Sequence, residues 1–209
     1  MKLSMMSYTL ARVGRSEDFD IARMCRLTRE LDLSGIDMVT TYGRDPHEIR
    51  RIVDDHGLKI ICYTFMSDLI FPDRAGRKTG GDAIKKAMEI AVILGADRTM
   101  IPTPGKDGVP RETARRQIIQ GLQESIEFAR QAKVILTVEN FPGANSPFVV
   151  AADVLQAIRE VPGLQLTFDN GNVLTGGEDP AESFRQCARH VAHSHFKDWD
   201  LLPAGEGMK

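Results

Sequence analysis

Three stretches in the C-terminal half each end an alternating run on a side chain able to bind a cation or move a proton: "VILTVEN" (134–140), "LQLTFDN" (164–170) and "HVAHSHFKD" (190–198). In an extended strand successive side chains point to opposite faces. Ile135, Thr137 and Glu139 therefore share one face, and Val134, Leu136 and Val138 the other. Gln165, Thr167 and Asp169 likewise oppose Leu164, Leu166 and Phe168. His193, His195 and Lys197 share a face of the third run. Each carboxylate stands two residues beyond a threonine, at the C-terminal end of its run. Two carboxylates and an imidazole on three rigid strands suit a divalent cation. Oxygen-rich ligation with one histidine favours Mn²⁺, Mg²⁺ or Co²⁺ and admits Zn²⁺. Any one of these groups has a purely structural alternative, a buried carboxylate paired with Lys197 or capping a helix, and His193 reads as a hydrogen-bonded interior residue rather than a metal ligand. What raises Glu139, Asp169 and His195 above that alternative is their convergence.

The elements that must position these residues alternate along the whole chain. Strands are expected at 3–9, 36–42, 58–65, 97–103, 133–140, 164–169 and 190–196, and helices at 16–31, 46–56, 81–94, 111–132, 151–160 and 180–189. Ser16, Asp45, Pro110 and Asp179 mark helix starts, and Gly57, Gly95 and Gly163 mark hand-overs to strands. Seven strands separated by six helices, with no tandem strands, indicate an α/β fold with a parallel sheet of βαβ units. The first strand runs into "TLARVGRSED" rather than GxGxxG, and no GxxxxGK[ST] is present. The expectation is a (β/α)8 barrel, in which chemistry collects at the C-terminal ends of the strands.

Composition narrows the function classes. The 209 residues form a single expected domain, 1–209, with a formal charge of -2 that offers no general attraction to nucleic acid. No run approaches ~18 apolar residues, so no membrane span is expected. Cys25, Cys62 and Cys187 are odd in number and widely spaced, which argues against a disulfide framework and for a reducing, cytoplasmic location.

"VEN" (138–140), "FDNGNVLTGGEDP" (168–180), "HSHFKDWD" (193–200) and "AMEIAVILGADRTMIP" (87–102) together resemble the xylose isomerase-like barrel superfamily, in its sugar phosphate isomerase/epimerase branch. The resemblance implies that Glu139, Asp169 and His195 are three of four metal ligands, and that Glu139 is the base in a proton transfer through an enediolate. Lys197 is then either an oxyanion partner or an ion pair with Asp198 or Asp169. Asn140, Asn172 and Tyr63, with His193, are implied sugar contacts, although an asparagine after glycine also serves turns. The implied partner is a sugar or polyol, with a metal-dependent dehydratase or a non-catalytic binding protein as alternatives. Asn172 stands where many relatives carry histidine, which counts against the multi-zinc endonuclease branch. Relatives also continue past "GEG" (205–207) into an eighth strand bearing a fourth ligand, whereas Glu206 sits in a glycine turn. A full barrel takes ~250 residues, so the eighth βα unit is expected to be missing. Unpaired strands one and seven would then be exposed edges, so the expectation is that the sequence is a piece of a longer chain, the alternative being that a partner chain, such as a second copy, covers the gap.

Overall fold

The computed structural model describes residues 2–11 and 19–197. Strands β1 (Ser4–Met6), β2 (Gly35–Val39), β3 (Ile60–Thr64), β4 (Arg98–Ile101), β5 (Ile135–Glu139), β6 (Gln165–Asp169) and β7 (Val191–His195) form one parallel sheet in sequence order. Helices α1 (Ser7–Ala11), α2 (Ile21–Glu30), α3 (Pro46–Asp55), α4 (Arg74–Leu94), α5 (Arg111–Ala132), α6 (Ala151–Glu160) and α7 (Pro180–Cys187) intervene. The sheet is curled as in a TIM barrel. His193 on β7 reaches Asp37 on β2 at 2.8 Å, and the Arg98 guanidinium on β4 donates to the Ala192 carbonyl on β7. Strands that are not sheet neighbours can meet this way only across a concave face.

The apolar residues of each strand cover the convex side. Ile36, Met38, Leu136, Val138, Leu166 and Phe168 are all buried in one core that extends under the helices. Among the described residues no helix is long and apolar enough to cross a membrane. Cys25, Cys62 and Cys187 are buried free thiols. Burial pushes Cys25 and Cys187 up to about 11, which leaves them as inert core residues.

Several boundaries differ from the sequence reading for physical reasons. Strand β1 stops at Met6 because the chain turns at once into α1. Ser16 lies outside the described residues, as do Asp198 and Glu206, and Asp20 caps α2 by accepting from Arg23 N at 3.0 Å. Helix α4 starts at Arg74 rather than 81, with Asp73 accepting from Gly76 N at 2.8 Å. Gly80 and Gly81 look like breakers, yet they lie inside the helix. A Cβ on Gly80 would stand 2.2 Å from the Asp68 carbonyl oxygen, so only glycine lets the β3–α4 loop press this closely on α4. Leu69 from that loop fills the space beside Gly121 of α5. Asp45 and Asp179 cap α3 and α7 as expected, each followed by proline.

The loop after β5 is held from outside the sheet. Asp153, side chain 8% exposed, pairs with both Arg111 and Arg115 and accepts from Val149 N at 3.2 Å and Val150 N at 3.3 Å. Arg111 also donates to the Ser146 carbonyl at 2.7 Å and Arg115 to the Pro147 carbonyl at 2.9 Å. Removing the carboxylate leaves two arginines without their counter-ion and α6 without its cap. Asp153→Ala should lower the unfolding free energy by about 3 kcal/mol, the lower end for a broken buried pair because Arg111 is partly solvated. Urea titration of both proteins checks this, and a loss below ~1 kcal/mol, typical of surface pairs, would contradict it.

Candidate metal centre

The concave face is built from the alternating residues singled out above. In the β5–β6 register Glu139 lies opposite Thr167 and Thr137 opposite Gln165. In the β6–β7 register Thr167 lies opposite His193 and Asp169 opposite His195. The two threonines form a floor. Thr137 Oγ1 donates its single hydrogen to the Thr99 carbonyl at 2.8 Å, so Thr167 must be the donor in the 2.6 Å contact between the two hydroxyls. One pleat above them stand the carboxylates.

Glu139, Asp169 and His195 each offer a ligand atom, and the three atoms lie within 4.8 Å of one another. His195 Nδ1 is 2.8 Å from Glu139 Oε1 and 3.9 Å from Asp169 Oδ2. Asp169 divides its oxygens. Oδ1 accepts from the backbone N–H groups of Gly171 at 3.0 Å and Asn172 at 2.9 Å, while Oδ2 is turned to Lys197 Nζ at 3.1 Å. Of the two ion-pair partners read for Lys197, Asp169 is thus the one met, and Asp198 is not among the described residues.

Asn140 does not reach into the open space. Its amide donates to the Asp169 carbonyl and accepts from the Asp169 N–H, both at 2.8 Å, and so locks the ends of β5 and β6 together. Asn172 donates to the Asn140 carbonyl at 2.9 Å, which leaves its buried Oδ1 with no partner. His193 is tied to Asp37 Oδ2 at 2.8 Å. Tyr63 is not brought to this site. It lies on the convex side in the apolar core, with its ring 6.2 Å from that of Phe65, and its neighbour Thr64 faces the cavity instead. Glu139, Asp169, Asn172, His193, His195 and Lys197 all line one cavity of about 1570 Å³.

Two residues escaped the sequence reading. Asp37 sits in mid-strand in "GIDMV", and the only available signal was an acid inside an apolar run. Thr64 ends β3, and its buried hydroxyl has no partner.

The electrostatics follow from burial. Burial pushes the Asp169 carboxyl up, Lys197 opposes that shift, and the charge of Glu139 adds to it. For His195 burial disfavours the imidazolium, but the Glu139 hydrogen bond and the charges of Glu139, Asp37 and Asp169 outweigh it, so the ring is raised. Two buried carboxylates beside an imidazole form a donor set that fits a divalent cation, whose charge would relieve the repulsion between the carboxylates.

A sequence profile of the xylose isomerase-like TIM barrel matches residues 25–209. An inosose dehydratase of Lacticaseibacillus casei is 24% identical over 187 residues, which cover 84% of this chain and 62% of that protein. The L-ribulose-5-phosphate 3-epimerase UlaE of Escherichia coli O157:H7 is 30% identical over 146 residues, covering 65% of this chain and 50% of that one. The chain thus spans between half and two thirds of these curated relatives. The fold superposes on a D-psicose 3-epimerase crystallised with D-fructose with a TM-score of 0.82 at 13% identity, covering 99% of this chain and 77% of that one. An L-ribulose 3-epimerase gives 0.83 at 17% identity, covering 99% and 73%.

A His195 value raised in the folded state means that the metal-free folded chain binds that proton more tightly than the unfolded chain does. The stabilisation is fully present below the unfolded value of about 6.5 and is lost as pH rises through the folded value. Asp169, also raised, acts in the same sense at lower pH. Urea unfolding of chelator-treated protein should therefore show stability falling as pH rises above about 6.5, and His195→Gln should flatten that slope. An unchanged slope in the variant would remove His195 from this role.

Proposed function

The chain belongs to the xylose isomerase-like TIM barrel family, and from that premise we propose that it is a divalent-metal-dependent sugar or sugar phosphate isomerase/epimerase. The observation that carries this reading is the meeting of Glu139, Asp169 and His195, from three adjacent strands, within 4.8 Å at a cavity wall. These three would hold the cation through two carboxylates and an imidazole, a set suited to Mn²⁺, Mg²⁺ or Co²⁺ and open to Zn²⁺. When bound, the ion supplies Lewis-acid polarisation of an α-hydroxy carbonyl group.

The chain's own residues do the rest. Glu139 is the base that takes the proton from carbon, and the C–H electron pair moves into the new C=C bond as the carbonyl oxygen becomes an enediolate oxygen. Return of that proton to the neighbouring carbon gives isomerisation, and delivery of a proton to the opposite face of the same carbon by a donor other than Glu139 gives epimerisation. Lys197, half in solvent and 3.1 Å from Asp169, can shift its ammonium to the developing oxyanion. Asn172 Oδ1 and Thr64 Oγ1, both buried and unpartnered, suit substrate hydroxyls. Asn140 acts as a positioning residue, since all its amide atoms are committed to β6.

A second reading is favoured by one contact. The 2.8 Å bond from His193 to Asp37 holds an imidazole at the same cavity. In a polyol or keto-acid dehydratase that ring, or Lys197, would protonate a departing hydroxyl after the same first step.

With Mn²⁺ in D₂O and a panel of ketoses and their phosphates, the chain should introduce deuterium at carbon without net loss of water. Glu139→Gln should slow this exchange by about 10²–10⁴-fold. Products lacking water would establish the dehydratase reading, and bound sugar without any exchange would mark a binding protein. Glu139→Gln and Asp169→Asn should each weaken Mn²⁺ binding by at least about tenfold, as read by Mn²⁺ paramagnetic resonance titration. Unaltered Mn²⁺ affinity in both variants would sink the ligand assignment.

A further inference from the structure

Beside the triad just described, a second group of three meets the same geometric condition. Asp37, His193 and His195 each offer a ligand atom, and these atoms lie within 4.8 Å of one another. Asp37 is 4% exposed and comes from the middle of β2, far from β7 in sheet order. Its Oδ2 is 2.8 Å from His193 Nε2, but its Oδ1 is buried and has no partner. His195 Nε2 is in the same condition. The His193 and His195 rings stand edge to face, with centroids 5.4 Å apart.

Unpartnered buried polar atoms are rare in folded proteins, and here two of them belong to one cluster. A structural ion pair would leave no such remainder, because the neighbouring cation would be turned to the free oxygen. The cation at hand is Arg98, and its guanidinium is committed to both Asp97 oxygens, at 2.7 and 3.0 Å, and to the Ala192 carbonyl. Asp37, which lines the cavity, thus keeps one carboxylate oxygen without a partner while His193 and His195 each offer a nitrogen within 4.8 Å of its carboxylate.

We propose that Asp37, His193 and His195 form a second divalent-cation position that shares His195 with the Glu139–Asp169–His195 triad. The two positions differ in chemistry. Two nitrogens and one carboxylate favour Zn²⁺, Co²⁺ or Fe²⁺ over Mg²⁺ and Mn²⁺, whereas the oxygen-rich triad takes the harder ions more readily. Because one imidazole serves both, a single ion can pass from one triad to the other, and two ions can be held together only as an imidazole-bridged pair.

Co²⁺ is the probe, since its visible spectrum reports coordination. The doubly substituted Glu139→Gln/Asp169→Asn chain, shown to be folded by circular dichroism, should still bind one Co²⁺, with histidine nitrogen ligation visible by X-ray absorption. Adding Asp37→Asn, or separately His193→Asn, to that background should weaken Co²⁺ binding by at least about tenfold, with circular dichroism unchanged. Loss of all Co²⁺ binding in the folded double variant would overturn the proposal. So would Co²⁺ affinity that neither further substitution changes. These results are separable from the proposed sugar chemistry, because the double variant lacks the Glu139 and Asp169 carboxylates on which deuterium exchange depends.

Discussion

The structure turns on the burial of Glu139 and Asp169 side by side on the concave face of a parallel sheet. Two like charges in a medium of low polarity repel and are poorly solvated, so their presence there demands a positive neighbour. In the chain alone the groups that answer this demand are His195, whose affinity for a proton is raised by the Glu139 hydrogen bond, and Lys197. The surroundings are arranged to keep the carboxylates apart from each other and turned inward. Backbone N–H groups hold Asp169 Oδ1 away, Asn140 ties the strand ends, and the linked hydroxyls of Thr137 and Thr167 close the floor. Every one of those contacts fixes geometry without neutralising charge. That is the behaviour expected of a site that leaves neutralisation to something it binds.

Much of this was legible in the residues because period-two alternation is a local property. The polar faces of β5, β6 and β7 and the order of the βαβ units follow from it directly, and so does the convergence of Glu139, Asp169 and His195. Tyr63 was misplaced because β3, "IICYT", is apolar on both faces, so nothing in it tells inward from outward. The expected helix start at 81 falls inside α4 because the loop carbonyl that requires glycine at Gly80 is a tertiary neighbour, invisible to any window along the chain. Asp37 was missed for a related reason. Its partner is 156 positions away, and only the curl of the sheet brings β2 to β7.

That curl gives His195 two neighbourhoods. Along the sheet it meets the carboxylates of β5 and β6, and across the concavity it meets the pair contributed by β2 and its own strand. The first neighbourhood is rich in oxygen and the second in nitrogen. An imidazole with two chemically distinct nitrogens is the one side chain here that can face both. Asp37 stands near the opposite end of the sequence from the histidines, so only the curvature of the sheet brings the second neighbourhood together.

The division of work between strands and loops has its own physical basis. The residues of the proposed cation site sit on strands held by ladder hydrogen bonds, β5 and β6 on both sides and β7 through β6. The loop after β5 is different. It carries Phe141 and Pro142 to the cavity wall, and it is held by Asp153 and its two arginines and by Ser146, which donates to the Thr103 carbonyl at 3.1 Å. Its anchors lie outside the cavity, on α5 and α6, so the residues it presents to the open space can vary without disturbing the ligands below. Substrate choice in such an arrangement is a property of the rim, and the proton and charge handling a property of the strand ends. Under the proposed function, a different substrate would call for changes in this loop rather than in Glu139, Asp169 or His195.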